Sequence, residues 1–250
     1  MQTATPHTYA IGDIHGHLDL LRGVHDLIAG DMAQHGAGQI VHIGDLVDRG
    51  PDSRGVVGYL RQGVAAGQDW VVLKGNHDRL FTMFMDDPTA SDPGLRSDYS
   101  WLHPKLGGGE TLRSYGVANA SDRPVAKVHA EALAAVDPED LAFLASRPAW
   151  YRAGGAIFVH AGVRPGIPIE KQSEDDLVWI RKGFLDHDGP FEALIVHGHT
   201  AIDVPTHYGN RVNIDSSAAY GGPLSAIVIE GDNVFRLTAK GRVPLRPEGQ

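Results

Sequence analysis

Cysteine is absent from the 250-residue chain, which excludes disulfides, thiolate metal sites and cysteine nucleophiles. No run approaches the roughly 18 consecutive apolar residues of a membrane span. Met1–Pro6 lacks the basic start and apolar stretch of an export signal. Positive charge is also scarce, with 22 Lys+Arg against 31 Asp+Glu and a formal net charge of −9. A broad footprint on nucleic acid needs clustered Lys and Arg, so neither nucleic acid nor membrane is expected as a partner. The expected compartment is the cytoplasm. What is present is an ordinary globular mixture, 42% hydrophobic and 21% charged. Residues 1–250 read as a single domain, long enough to bury a core without disulfides or a structural metal. Fourteen histidines in a chain without cysteine point to imidazole and carboxylate chemistry.

The first third repeats one grammar three times: a short apolar run, a glycine with a polar cluster, then a helical pattern. Thr8–Ile11 leads into Gly12-Asp13-Ile14-His15-Gly16, after which Leu18, Leu21, Val24 and Ile28 mark one helical face. Gln39–Ile43 leads into Gly44-Asp45-Leu46-Val47-Asp48-Arg49-Gly50 and a helix expected over 53–66. Trp70–Leu73 leads into Gly75-Asn76-His77-Asp78, with a helix expected from Arg79. Such alternation reads as βαβ units on a mostly parallel α/β sheet, whose site forms beyond the carboxyl ends of the strands. Residues 86–109 are irregular and read as a lid-like excursion over that site. Helices are expected over 125–136 and 138–146. Later strands are expected at 156–159, 193–196, 211–214, 226–229 and 234–237. A turn at Glu230-Gly231-Asp232-Asn233 makes the last two a hairpin, taken as the mark of a second, mixed sheet.

Two of the later strands end in His160-Ala161-Gly162 and His197-Gly198-His199-Thr200. Any one cluster has a plain explanation, since Asp caps helices and Gly permits tight turns. Five together bring Asp13, His15, Asp45, Asn76, His160 and His199 to one edge, and caps need no histidine. A shared metal site is the better reading. Carboxylate, amide and imidazole without thiolate favour manganese, iron or zinc over calcium, and two such ions are expected, manganese first.

The motifs GDIHG at 12–16, GDLVDRG at 44–50, GNHD at 75–78, the His160 segment and HGHT at 197–200 resemble the phosphoprotein phosphatase family within the calcineurin-like metallophosphoesterases. The stretch from Trp101-Leu102 through Gly107-Gly108, Thr111-Leu112 and Ser114-Tyr115-Gly116 is similar to bacterial members. The resemblance implies two mixed β-sheets packed as a sandwich and flanked by helices. It also implies that Asp13 and His15 hold a first metal, that Asp45 bridges, and that Asn76, His160 and His199 complete a second. Paired cations can share a hydroxide and clamp a phosphoryl group. Their charge is how a net-negative chain could hold a dianionic phosphate.

Phosphoryl transfer also needs donors on the equatorial oxygens and an acid for the leaving oxygen. Arg49 and Arg181 fit the first role, Arg181 by resemblance to a distal clamping arginine, with a surface helix charge as the alternative. His77 fits the second, with Asp48 holding its imidazole or, alternatively, only capping the next turn. Tyr220 resembles a substrate-rim residue. Asp215-Ser216-Ser217 departs from the Asp-Thr-Gly of many relatives, which leaves the shape of that rim open. His197 reads as supporting or structural, and Arg79 as a helix charge in the first turn. His42, Trp70 and Trp150 read as core. His7, His25, His35, His129, His187 and His207 read as surface. The leading expectation is a phosphoprotein Ser/Thr (or Tyr) phosphatase, in which a metal-bridging hydroxide attacks and His77 protonates the leaving group. Hydrolysis of a dinucleoside tetraphosphate and an inactive metal-binding scaffold are the alternatives.

Overall fold

The computed structural model describes residues 7–247, so the export-signal reading of Met1–Pro6 lies outside the described residues. The repeated grammar becomes β1 (His7–Ile11), α1 (Leu18–His35), β2 (Gly38–His42), α2 (Ser53–Ala65), β3 (Trp70–Val72) and α3 (Asn76–Asp86). The chain continues through α4 (Gly108–Ser114), α5 (Val125–Ala135), α6 (Pro138–Ala145), β4 (Trp150–Ala153), β5 (Ala156–Val159) and α7 (Glu174–Trp179). It closes with β6 (Leu194–His197), β7 (Thr206–His207), β8 (Arg211–Asn213), β9 (Ala226–Glu230), β10 (Asn233–Thr238) and β11 (Gly241–Pro244).

One sheet has the order β11-β10-β9-β1-β2-β3 and the other β4-β5-β6-β8-β7. Strands β1, β2 and β3 run parallel, as do β5, β6 and β8, while antiparallel neighbours make both sheets mixed. The β9–β10 hairpin corrects one expectation. It pairs with β1 and extends the first sheet. The second sheet instead begins with the β4–β5 hairpin around Gly154-Gly155, whose half-exposed strand β4 carries little apolar periodicity.

Period-two alternation builds the sandwich. Ala10, Val41 and Ile227 on one sheet and Ala156, Phe158, Val196 and Val212 on the other form the layer between sheets. The intervening Tyr9, Ile11, Ile40 and Val228 face the other way, packing with Leu21, Ile28, Val57, Leu60 and Phe81 of the helices. On the far side of the second sheet, Ile157, Val159 and Ile195 pack with Ile169, Leu177 and Phe184. Each fully buried Val, Leu, Ile or Phe among them stabilises by about 1.5–3 kcal/mol on burial.

Helix α3 begins three residues earlier than expected, because the Asp78 carboxylate reaches back to the Gly75 N–H at 2.8 Å and closes the first turn. That places Asn76 and His77 on the helix itself. Arg79 is an anchor as well as a helix charge: it grips Asp92 with two bonds of 2.7 and 2.8 Å and reaches Asp175 of α7 at 2.7 Å.

The surface reading of several histidines is also corrected. His7, His25 and His207 are buried. His25 Nε2 lies 2.9 Å from Nε2 of His42, which is core as expected, and Tyr59 donates to His25 Nδ1 at 3.1 Å. His7 pairs with Glu230, and His207 Nδ1 accepts from the Gly209 N–H. His129 and His187 are half-buried, and only His35 of the six is exposed. Trp70 and Trp150 pack against the cores but stay half-buried.

Candidate metal centre

The clusters follow β1, β2, β3, β5 and β6, at the carboxyl ends of parallel strands in both sheets. Packing the sheets face to face brings those ends together at one edge of the sandwich. Loop geometry there is demanding. Seven non-glycine residues among those described have positive φ, and five are His15, Asp45, Asp48, Arg49 and His199. Holding residues in this sparse region costs about 1–3 kcal/mol each and clusters at functional sites. Two glycines permit the close approach: a Cβ at Gly75 would overlap the Asp45 carboxylate, and one at Gly198 the Asp13 carboxylate.

Asp13, His15, Asp45, Asn76, His160 and His199 are all buried and converge. His160 Nε2 lies 3.0 Å from Asn76 Oδ1, 3.2 Å from His199 Nδ1 and 3.3 Å from Asp45 Oδ1. His15 Nε2 lies 3.3 Å from Asp45 Oδ2, so Asp45 faces both halves of the cluster. Asp13 Oδ2 accepts the His199 N–H at 3.0 Å, while Asp13 Oδ1 is buried without a partner.

Backbone carbonyls fix the histidine tautomers. His15 Nδ1 donates to the Val47 carbonyl at 2.8 Å and His160 Nδ1 to the Ile43 carbonyl at 3.1 Å. Each therefore aims a bare Nε2 lone pair inward, an arrangement suited to a cation. Burial lowers His15, with the Arg49 charge adding to it; burial brings His160 down to about 4. His199 falls well below its ordinary value through burial, with His160 and Arg181 nearby. Neutral imidazoles are what metal ligation requires. Burial, then Asp215 and Asp45, push Asp13 well above the carboxylate range. Gathered buried acceptors, an orphaned carboxylate oxygen and lone pairs facing one another fit a divalent-cation centre.

The second set of side chains surrounds this cluster. His77 Nδ1 donates to Asp48 Oδ2 at 2.6 Å, and both residues are buried. The bonds to the Asp48 carboxylate come from side chains, His77 Nδ1, Trp101 Nε1 and the Thr111 hydroxyl, rather than from backbone N–H groups of the next turn, and α2 is capped by Asp52, which accepts the Gly55 N–H at 2.8 Å. Arg49 donates from Nη1 to His15 Nε2 at 2.7 Å and from Nη2 to His77 Nε2 at 2.9 Å. Its guanidinium lies 5.2 Å from the centroid of Tyr220, an exposed ring at the mouth. A cation on His15 Nε2 requires that guanidinium to turn toward the pocket. Arg181 sits beyond the end of α7 and donates to the His199 carbonyl at 3.2 Å. His197 is buried against Phe184 with Nδ1 3.1 Å from the Gly198 carbonyl oxygen, outside the convergent set.

A cleft of about 390 Å³ opens over the cluster. Asp45, Asn76, His77 and His199 form its floor, Arg49, Arg181 and Tyr220 reach into it, and Leu95, Arg96 and Tyr99 bring residues 86–109 to its wall. Sequence reasoning missed Asp215, a buried carboxylate lining this cleft that accepts the Ser217 N–H at 3.1 Å. Its signal was the aspartate that Asp215-Ser216-Ser217 shares with the Asp-Thr-Gly of many relatives, overshadowed by the two residues that differ.

The family model for calcineurin-like phosphoesterase matches residues 6–229. The chain belongs to this family. Calcineurin-like phosphoesterases hydrolyse phosphoric esters, and membership implies divalent metal ions, for which the buried cluster supplies candidate ligands. Among similar proteins is "Serine/threonine-protein phosphatase 1" of Salmonella typhimurium, 27% identical over 235 residues, covering 90% of this chain and 92% of that one. Another is "Bis(5'-nucleosyl)-tetraphosphatase PrpE [asymmetrical]" of Anoxybacillus flavithermus, 24% identical over 238 residues, covering 87% and 88%. A solved cold-active protein tyrosine phosphatase shares the fold of this calcineurin-like chain, with a TM-score of 0.64 at 17% identity over 98% of this chain and 80% of that one. No helix among the described residues is long and apolar enough to cross a membrane.

Proposed function

We propose that the chain is a phosphomonoesterase acting on phosphoserine or phosphothreonine in proteins or peptides, with phosphotyrosine as a variant of the same reaction, in the cytoplasm. The supporting observation is the 2.6 Å bond from His77 Nδ1 to the buried Asp48 carboxylate, on a ring that stands beside Asn76 at the cleft floor. Alkoxide leaving groups are poor and need a proton, and a fixed imidazole beside the reacting centre supplies one.

In this reading Asp13, His15 and Asp45 would hold one cation, and Asp45, Asn76, His160 and His199 would hold a second, manganese before iron or zinc. When bound, the pair supplies Lewis-acid polarisation of the phosphoryl group and lowers the pKa of water. Arg49 and Arg181 clamp the non-bridging oxygens, for which planar guanidinium donors are suited. With the Arg49 guanidinium turned off it toward the pocket, His77 Nε2 carries the proton that passes to the departing oxygen, and until then Asp48 balances the charge of the imidazolium. Tyr220 borders the leaving group. No residue becomes phosphorylated.

A second reading, hydrolysis of a dinucleoside tetraphosphate, has its own support. Arg96 and Tyr99 extend the cleft wall beyond the size of one phosphoryl group, and the Anoxybacillus relative carries that activity in its name. The test is a Mn²⁺-supplemented panel of pSer, pThr and pTyr peptides beside diadenosine tetraphosphate, compared by kcat/KM. The proposal expects a phosphopeptide to lead. A dinucleotide tenfold ahead selects the second reading, and no turnover of any substrate by metal-loaded protein selects an inactive scaffold.

A further inference from the structure

The Asp48 carboxylate accepts more than the His77 ring. Trp101 Nε1 donates to its Oδ2 at 2.9 Å and the Thr111 hydroxyl donates to its Oδ1 at 2.7 Å. Thr111 Oγ1 in turn accepts the Asp48 N–H at 2.8 Å and lies 3.1 Å from Ser53 Oγ, so one hydroxyl grips both ends of Asp48. Asp48 has a φ of 73° and no solvent exposure. Nothing in its own loop would hold its carboxylate at one angle, and these two donors from a distant segment do. Trp101 is itself held, stacked 5.2 Å from Phe81 and packed 4.8 Å from Phe84 on the helix that carries His77. A Cβ at Gly108 would collide with the indole, so the chain passes tightly under it.

We infer that Trp101 and Thr111 are positioning residues for the acid: their N–H and O–H orient Asp48, and through it aim His77 Nε2 at the leaving oxygen. The inference rests on the proposed acid role of His77. Part of the 86–109 excursion is thereby built into the catalytic apparatus, since Trp101 is pinned to the site while Arg79 pins Asp92 near the other end.

Trp101→Phe keeps an aromatic ring against Phe81 and Phe84 while removing the N–H together with the five-membered ring of the indole, and Thr111→Val removes the hydroxyl at nearly constant volume, with Thr111→Ser as the conservative restoration. Turnover is read under Mn²⁺ on a poor leaving group, phenethyl phosphate, and on a good one, 2,4-dinitrophenyl phosphate, alongside His77→Asn. Replacing groups that orient a site residue typically costs 10–100-fold. The inference expects kcat on the alkyl ester to fall about tenfold in Trp101→Phe and Thr111→Val, with the aryl ester changed less than about twofold and KM and bound metal unchanged. Thr111→Ser is expected to recover most of the loss. Equal losses on both esters, or none, in Trp101→Phe and Thr111→Val while His77→Asn is leaving-group sensitive, would overturn this inference alone. Insensitivity of His77→Asn itself would remove the acid role and this inference with it. If Thr111→Val fails to fold, Trp101→Phe and Thr111→Ser still decide.

Discussion

His160 Nδ1 donates to the Ile43 carbonyl, and the same ring points Nε2 at Asp45 Oδ1 from 3.3 Å. A strand-end carbonyl of one sheet thus orients an imidazole borne by the other sheet. Removing either His160 or its neighbour Asn76 should strip one cation and leave the other. The expected outcome for His160→Ala and Asn76→Ala is about one metal per chain by elemental analysis, with activity falling in parallel. Full activity at halved occupancy would contradict a two-cation centre.

His77→Asn should spare metal binding and slow the reaction by about 10²–10⁴-fold on alkyl phosphates, the usual range for a lost general acid. An activated aryl phosphate should be hurt far less. Because direct hydrolysis leaves no phosphorylated residue, acid-quenched turnover mixtures with labelled substrate should contain no labelled protein.

Arg49 and Arg181 approach the cleft from different elements. Arg181→Ala should raise KM and lower kcat/KM by about tenfold to a hundredfold, since a charge-assisted hydrogen bond contributes about 1.5–3 kcal/mol. Bound metal should not change. Arg49→Ala should lower kcat/KM as well. It should also strengthen cation binding, because the guanidinium otherwise occupies the His15 Nε2 lone pair.

Acid should destabilise the metal-free fold through its buried imidazoles. Burial lowers His25 to about 4, with Asp26 opposing it, and lowers His42 to about 3 from 6.5, with the neighbouring His25 adding to it. With folded values depressed, the unfolded chain binds more protons between pH 6.5 and about 4. Stability is therefore complete above pH 6.5 and is lost as pH falls through that window, by on the order of 3 kcal/mol for His25 alone at about 1.4 kcal/mol per unit. In EDTA, the thermal midpoint should drop from pH 7 to pH 5, and His25→Gln should flatten that dependence. An unchanged slope would remove His25 from the account.

The site was legible because its residue types are improbable as structure: a cap needs no histidine, and five strand ends carried one polar cluster each. The repeated apolar run, glycine cluster and helical pattern placed the parallel strands, yet it could not say which sheet took the closing hairpin. That choice depends on the pairing of Ala226–Ile229 with β1, a contact more than two hundred residues apart. His25 read as surface because its contact with the core residue His42 crosses from α1 to β2 and has no local sequence mark. Trp101 and Thr111 carry no chemistry by type. Their stretch is similar to bacterial family members, but that similarity names no role for either residue; only the return of the chain beneath Asp48 gives them partners.

The central claim is that six buried side chains from two sheets hold a pair of divalent cations. Its most direct test is metal content per chain after equilibration with Mn²⁺ and removal of free ion, set beside the same measurement on Asp45→Asn. Two ions per chain, falling to one or fewer in the variant, is the expected result. One ion or none in the unaltered protein would contradict the claim.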